Sequence, residues 1–230
     1  MRNAFVKELI EQMNVDKNAV LLTADVGWNS FDHIREKYPD RFVNMGLSEQ
    51  SMAGVAAGMA KMGKNVFMYS IIPFMLYRAF EQIRDDICYP DLSVRLVGTG
   101  ASFSYGEAGS THQPFEDLRI ASALPNMVVL SPSDPREVEV LFKRMKDVKH
   151  PVYMRLGRTG EPSSFFILVM LACHLRSGSF CLIGAPHTAS MPSSFTTSRT
   201  DFCTPEPTLN IDPFSISLIN RSACSLVGGL

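Results

Sequence analysis

The stretch "FVNMGLSEQSMAGVAAGMAKMGKNVFMYSII", residues 42–72, predicts a strand, a helix and a second strand in direct succession. Residues 42–46 and 65–72 are short apolar runs, which are typical of buried strands. Between them, Ser48 can cap a helix and Gly63 can end it. This strand–helix–strand unit favours parallel strands, because the helix carries the chain back across the sheet before the second strand begins.

The same alternation extends to both sides of this stretch. Further strands are predicted at 19–25, 93–99, 127–132 and 151–158, and further helices at 3–13, 74–88, 114–124 and 134–148. Asn3 and Asp134 are placed to cap the first and last helices, and Pro73 suits the start of the helix that follows it. Continuous apolar strands alternating with amphipathic helices predict an α/β domain, with a parallel sheet flanked by helices on both faces.

The composition of the chain changes near Glu161. Residues 162–230 contain no lysine, four of the five cysteines and many serines, and no helix or strand period persists there. We therefore expect residues 1–161 to form the folded domain and residues 162–230 to be an irregular, atypical tail. Two interpretations of the tail stay open, namely a disordered extension and a segment translated outside its native reading frame.

Bulk properties exclude several functions. The 230 residues carry a net charge of -1, which gives no electrostatic reason to expect nucleic acid or an acidic membrane as a partner. The apolar run 165–173 is too short to span a bilayer, and the start of the chain does not resemble a signal peptide. The five cysteines show no spacing typical of disulfides or zinc, so we expect a cytoplasmic protein.

Glu49 is the charged residue that most needs an explanation. It stands in the first turn of a predicted helix, where the helix dipole alone could account for a carboxylate. The segment "MAGVAAGMA" (52–60) behind it has no polar face, so we expect this helix to be buried all round, with its glycines and alanines allowing close approach. A carboxylate at the head of such a helix needs a hydrogen-bond donor.

Other candidate residues also follow predicted strands. Asp25 ends the first strand, Arg158 follows the last, and a long glycine-rich loop (98–119) contains His112. Ligands of parallel sheets bind at the carboxyl ends of strands, and long loops at this edge are usually functional. The aromatic and basic segment 69–84 could stack on a flat heterocycle. Exposure of the histidine and ordinary core packing of the aromatic rings remain the alternatives.

Taken together, these segments resemble the pyrimidine-binding domain of transketolases. The resemblance covers residues 1–160, and the "THQP" loop favours transketolase or deoxyxylulose-phosphate synthase over the beta subunit of pyruvate dehydrogenase. Because the chain starts at this domain, it looks most like the C-terminal subunit of a split transketolase. The matching segments, in order, are "LLTADVGWNSF", "VNMGLSEQSMAGVAAGMA", "YSIIPFMLYRAFEQIRDDI", "GSTHQPFEDLRIASALPNMVVLSPSDPREV" and "PVYMRLGR".

The resemblance implies a thiamine-diphosphate-dependent enzyme that transfers a two-carbon ketol unit between sugar phosphates. In the family pattern, Glu49 matches the glutamate that hydrogen-bonds N1′ of the cofactor's aminopyrimidine and activates it. His112 matches a histidine that contacts the hydroxyl groups of the donor sugar and assists proton transfer. Arg158 matches an arginine that binds the sugar phosphate.

The remaining cofactor contacts are also implied by the resemblance. Phe74 is the first choice for the ring that stacks on the pyrimidine. The spacing from Tyr69 to Arg78 differs from the family pattern, so Tyr69 or Tyr77 could hold that role instead. Asp25 matches an aspartate near the cofactor.

The chain departs from the family in two ways. It has no "GDG" motif, which the family uses to hold the cofactor's diphosphate through Mg²⁺. We therefore expect no metal site here, an N-terminal, diphosphate-binding transketolase subunit as partner, and self-association as well. Residues 162–230 also do not resemble the third domain that follows in the family. A truncated, non-catalytic subunit and a 1-deoxyxylulose-5-phosphate synthase-like activity are the alternatives.

Overall fold

The computed structural model describes residues 1–158 and the backbone of residues 170–173. The strands are β1 Ala19–Thr23, β2 Phe42–Asn44, β3 Asn65–Ile71, β4 Val94–Thr99, β5 Val128–Ser131, β6 Val152–Leu156 and β7 Met170–Cys173. They form one seven-stranded sheet in the order β2-β1-β3-β4-β6-β5-β7. Strands β1 to β6 run parallel, and β7 runs antiparallel to β5 at one edge.

Helices cover both faces of the sheet, as the sequence predicts. The α-helices are α1 Arg2–Val15, α2 Asp32–Lys37, α3 Glu49–Lys61, α4 Phe80–Gln82, α5 Asp117–Ala123 and α6 Pro135–Met145. Phe5 of α1 and Phe142 of α6 pack on one face, where they meet Phe67 of β3. Met52 of α3 and Ile83 belong to the core on the other face. The prediction of an α/β fold with a parallel sheet is therefore confirmed.

Helix α3 is not buried all round, and in this the sequence prediction is wrong for the chain alone. Met52 and Ala56 are buried against the sheet, but Gly54, Val55 and Gly58 on the opposite side are exposed. The reason is that α3 packs on one side against the sheet and the helical segment 73–88, while its other side is left open within the described chain. The helix therefore presents an open face of small and apolar residues.

The segment predicted as one helix over 74–88 is helical, but not regularly α-helical. The chain forms π-helical turns at Pro73–Tyr77 and Ile83–Cys88, on either side of α4. In the first of these turns, the backbone N–H of Arg78 donates to the Pro73 carbonyl, five residues earlier, at 3.2 Å. A π turn accommodates an extra residue and is frequent at functional sites.

Of the predicted helix caps, Asp134 is confirmed, whereas Ser48 and Asn3 are not. Asp134 caps α6 as expected, since its Oδ1 accepts from the backbone N–H of Glu137 at 2.8 Å. Ser48 precedes α3, but its hydroxyl donates backward to the Met45 carbonyl and makes no cap hydrogen bond. Asn3 lies inside α1, which already begins at Arg2. Helix α5 begins at Asp117, later than predicted.

The expectations for residues 162–230 lie outside the described residues, apart from the backbone of β7. Among the helices that the structure describes, none has the length and apolar character needed to cross a bilayer.

Candidate active site at the carboxyl edge of the sheet

The carboxyl ends of the parallel strands bring several predicted site residues to one edge. Asp25 follows β1, Glu49 begins the helix after β2, and Arg158 follows β6. His112 lies in a short 3-10 turn, Ser110–His112, within the long loop after β4. Because all of these segments leave the sheet on the same side, their side chains can form one site.

Glu49 is a buried carboxylate whose two oxygen atoms have different surroundings. The residue is only 1% exposed. Nη1 of Arg78 donates to its Oε2 at 2.9 Å, whereas Oε1 is buried and has no hydrogen-bond partner among the described residues. An unpaired carboxylate oxygen in such a setting is costly, so it points to a donor supplied by a ligand.

A line of contacts joins Glu49 to Arg158. The guanidinium of Arg78 lies over the ring of Phe74, with 4.5 Å between its Cζ and the ring centroid. Phe74 meets His112 at 4.8 Å, and His112 meets Tyr105 at 5.6 Å, both edge to face. Arg158 completes the line, with its Cζ 5.0 Å from the centroid of Tyr105. The structure thus brings Glu49, Phe74, His112 and Arg158 together.

Tyr69 and Asp25 lie apart from this line. The Tyr69 ring is 1% exposed, stacks on Phe5 at 6.0 Å and meets Phe31 edge-on at 4.7 Å, so core residues cover it. Burial raises the pKa of Tyr69 to about 12, against the opposing influence of Thr99 and Arg2. Asp25 exchanges two hydrogen bonds with Asn44, at the ends of β1 and β2.

A buried acidic residue that sequence reasoning missed anchors the loop that carries His112. Asp117 is fully buried, and its Oδ2 accepts from Nε of Arg155 at 2.7 Å and from the hydroxyl of Tyr153 at 2.8 Å. Nη2 of Arg155 also donates to Oγ of Ser102 at 3.1 Å. Arg155 therefore ties the two ends of the loop together. A charged residue inside the apolar strand "PVYMRLG" was the signal available in the sequence.

Arg2 and Arg78 carry no clear signal in the sequence that links them to the site. Burial raises the pKa of Tyr105, and the positive charges of Arg158 and Arg2 oppose this shift. The charge of Arg2 therefore acts on the same ring as that of Arg158, although Arg2 is remote in sequence. Arg78 was visible only as part of a basic and aromatic segment, since its pairing with Glu49 depends on how α3 and the π turn pack.

No group of three or more His, Cys, Asp or Glu side chains in the described part of the chain is arranged to hold a metal ion. The expectation that Mg²⁺ is bound by a partner chain stays a prediction.

The fold is that of a parallel α/β domain, in which a buried carboxylate, aromatic rings and arginines line the strand ends. The chain belongs to the transketolase pyrimidine binding domain family, which it matches over residues 1–161. The match ends where the composition changes. Membership in this family implies the use of thiamine diphosphate, and the pyrimidine is one of the two rings of that cofactor.

Curated relatives include subunits of transketolases. A protein named as a transketolase C-terminal section, from Methanocaldococcus jannaschii, is 40% identical over 159 residues, which are 69% of this chain and 50% of that protein. An apulose-4-phosphate transketolase subunit of Phocaeicola vulgatus is 32% identical over 71% of this chain and 53% of its own. 1-Deoxy-D-xylulose-5-phosphate synthase of Clostridium perfringens is 33% identical over 69% of this chain and 26% of that enzyme.

A solved structure described as a split gene transketolase, inactive beta4 tetramer, is similar as well. It is 39% identical, with a TM-score of 0.64 over 71% of this chain and 52% of that chain. The chain thus spans about half the length of this structure and of the transketolase subunits that it matches.

Proposed function

We propose that this chain is the pyrimidine-binding subunit of a thiamine-diphosphate-dependent transketolase, which moves a two-carbon ketol unit from one sugar phosphate to another. The observation that carries the proposal is the carboxylate of Glu49, which is buried and keeps one oxygen, Oε1, without a partner in the described chain. Family membership over residues 1–161 supports it.

The residues present fit the pyrimidine ring of the cofactor. Glu49 Oε1 can accept a hydrogen bond from the ring nitrogen N1′ and share its proton, which is the activating contact that we assign to it. Phe74, which is half-buried, supplies an aromatic surface nearby, while Tyr69 is covered by core rings and is less suited to stacking. When bound, the cofactor supplies a nucleophilic carbon and an electron sink for breaking and forming a carbon–carbon bond.

His112 and Arg158 are the residues that we assign to the sugar phosphate. Thr111 Oγ1 lies 2.9 Å from Nδ1 of His112, which leaves Nε2 of this half-buried imidazole to contact a sugar hydroxyl and to move its proton. Arg158 is exposed beside Tyr105, where it can bind the phosphate.

A partner chain is part of the proposal. It supplies the domain that binds the cofactor's diphosphate and Mg²⁺, and such a division is supported by the names of the relatives, one as a C-terminal section and one as a transketolase subunit. The open face of α3 supports self-association, because the exposed Gly54, Val55 and Gly58 allow another surface to approach closely.

Reconstitution tests the proposed function. The full 230-residue chain is co-expressed with a chain that carries a transketolase diphosphate-binding domain, and ketol transfer from a ketose phosphate to an aldose phosphate is measured with added thiamine diphosphate and Mg²⁺. We expect activity from the complex and none from either chain alone. A stable, cofactor-loaded complex that does not turn over would instead support the truncated, non-catalytic subunit.

A second candidate function is 1-deoxyxylulose-5-phosphate synthesis, which the 33% identity to the clostridial synthase supports. The same complex distinguishes the two. Pyruvate as the donor would give carbon dioxide and a deoxyketose phosphate if the chain belongs to a synthase. A ketose phosphate as the donor, with no reaction of pyruvate, supports the transketolase.

A further inference from the structure

Arg78 is a cation positioned between the buried Glu49 and solvent. Its side chain is 48% exposed, whereas that of Glu49 is 1% exposed. Within residues 1–158, no second cation forms an ion pair with this carboxylate. Neither the family resemblance nor the proposed function assigns a role to Arg78.

Two features fix the guanidinium in place despite its exposure. Its Cζ lies 4.5 Å from the centroid of the Phe74 ring, a cation–π contact that resists rotation toward solvent. The π turn at Pro73–Tyr77 sets the spacing, because it places Phe74 and Arg78 roughly one turn apart on the same side of the helix. The arginine is therefore held by its own helix before it reaches across to α3.

The contact with Arg78 makes the two oxygens of Glu49 unequal. Oε2 accepts the hydrogen bond from Nη1, and this bond opposes rotation of the carboxylate group about its last bond. Oε1 is then left buried and unpaired, so it is the oxygen available to a ligand donor. Without the arginine, the carboxylate could rotate about its last bond and seek other donors.

We propose that Arg78 is a positioning residue, which holds Oε2 of Glu49 so that Oε1 faces the ring nitrogen N1′ of the cofactor's pyrimidine and can share its proton. This inference rests on the proposed function of Glu49. It assigns Arg78 to the activation of the cofactor and gives it no contact with the sugar phosphate. Phe74, the aromatic surface proposed for the pyrimidine, therefore has a second role, because its ring holds the guanidinium of Arg78.

The chain offers a matched control for testing this arginine. Arg84 makes the same pair of contacts on the neighbouring π turn, because its Nη1 donates to Asp85 at 2.7 Å and its Cζ lies 4.6 Å from the Tyr89 ring. Neither of these partners belongs to the site. Arg84→Met therefore removes an equivalent surface arginine without touching Glu49.

The experiment compares Arg78→Met, Arg78→Lys and Arg84→Met in the full chain, purified with its diphosphate-domain partner. Calorimetric titration gives the Kd of thiamine diphosphate, and turnover gives kcat and the KM of the ketose phosphate. For Arg78→Met we expect at least about tenfold weaker cofactor binding and about 10- to 100-fold lower kcat, with the KM of the sugar little changed. Lysine restores a donor and a charge, so Arg78→Lys should recover part of both losses, and Arg84→Met should match wild type.

The outcomes separate this proposal from the one it rests on. Failure of the wild-type complex to bind thiamine diphosphate rejects the proposed function itself. If the wild type binds and turns over but Arg78→Met behaves like Arg84→Met, the positioning role is rejected. Tighter cofactor binding by Arg78→Met also rejects it, because the arginine would then compete with the ring. Equal thermal unfolding of the two methionine variants shows that a loss does not come from unfolding.

Discussion

Glu49 and Arg158 differ in exposure in a way that suits the tasks we assign to them. Glu49 must meet a ring nitrogen away from water, where a hydrogen bond is strong, and it is buried behind Arg78. Arg158 must capture a phosphate that arrives fully hydrated, and it is exposed. The two ends of the site thus differ in how far solvent reaches them.

Arg158 allows a test of phosphate recognition at the level of a single residue. We expect Arg158→Met to raise the KM of phosphorylated sugars by about 10- to 100-fold, which corresponds to the loss of a charge-assisted contact, with a smaller change in kcat. Steady-state kinetics of the reconstituted complex measure this. A ketol donor without a phosphate group serves as the control, and a KM that rises equally for that donor would contradict the assignment.

Cys88 gives a prediction about pH. Burial, and secondarily the charge of Asp91, raises the pKa of its thiol from 9.0 to about 12. Between these two values the unfolded thiol loses its proton while the folded one keeps it, so this residue's contribution to stability falls as pH rises from 9 toward 12. We expect iodoacetamide at pH 9 to label Cys88 slowly in the folded chain and rapidly in urea, as measured by mass spectrometry of its peptide. Equal labelling rates would refute this.

At the level of elements, the strands could be predicted and the details of the helices could not. Strands such as "NVFMYSI" are buried on both faces, so their apolar runs identify them directly. The π turns around α4 were not predictable, because apolar periodicity does not distinguish an α turn from a π turn when both bury the same face. The open side of α3 was not predicted either, because glycine and alanine do not indicate whether the helix face that they form is buried or exposed.

Among the contacts between elements, the ion pair of Arg155 with Asp117, which anchors the His112 loop, is expected to contribute most to stability. Arg155→Met should cost about 3–5 kcal/mol of stability, because it leaves Asp117 buried without its cation. It should also loosen the loop at Ser102. Chemical denaturation gives the loss of stability, and hydrogen exchange of residues 98–117 reports the loosening.

Tyr153→Phe is the matched control for that anchor. It removes only the second donor to Asp117, so it should cost about 0.5–1.5 kcal/mol and leave loop exchange nearly unchanged. If the two variants lost equal stability, Arg155 would have no special role in holding the loop.

At the level of the whole molecule, helices on opposite faces of the sheet make a test of self-association possible. Val55 on α3 is 36% exposed and Val140 on α6 is 41% exposed. If copies of the chain associate through α3, Val55→Arg should lower the mass measured by light scattering, because a charge at the centre of an interface is strongly unfavourable. Val140→Arg, the control, should leave the mass unchanged. Identical masses for both variants and wild type would exclude the α3 face as the contact.

The sequence predicts the fold and the candidate residues better than it predicts the contacts between elements. The fold followed from apolar patterning, and the candidate residues followed from their positions after strands and from family resemblance. Partners across elements could not be predicted, because Arg78 meets Glu49, and Arg155 meets Asp117, only after α3, the π turn, β6 and α5 have packed. Residue types at strand ends are visible in a sequence, while the hydrogen bonds that orient them depend on tertiary structure.

The most direct test of the account is the effect of Glu49→Gln on ketol transfer by the complex with the diphosphate-domain partner. Glutamine keeps the size of the side chain and an oxygen acceptor but cannot share a proton with N1′. We predict that kcat falls by at least about 100-fold, equal to roughly 2.7 kcal/mol of barrier, while the fold and the complex persist. A Glu49→Gln complex that turns over at the wild-type rate would contradict the central claim that this buried carboxylate activates the cofactor.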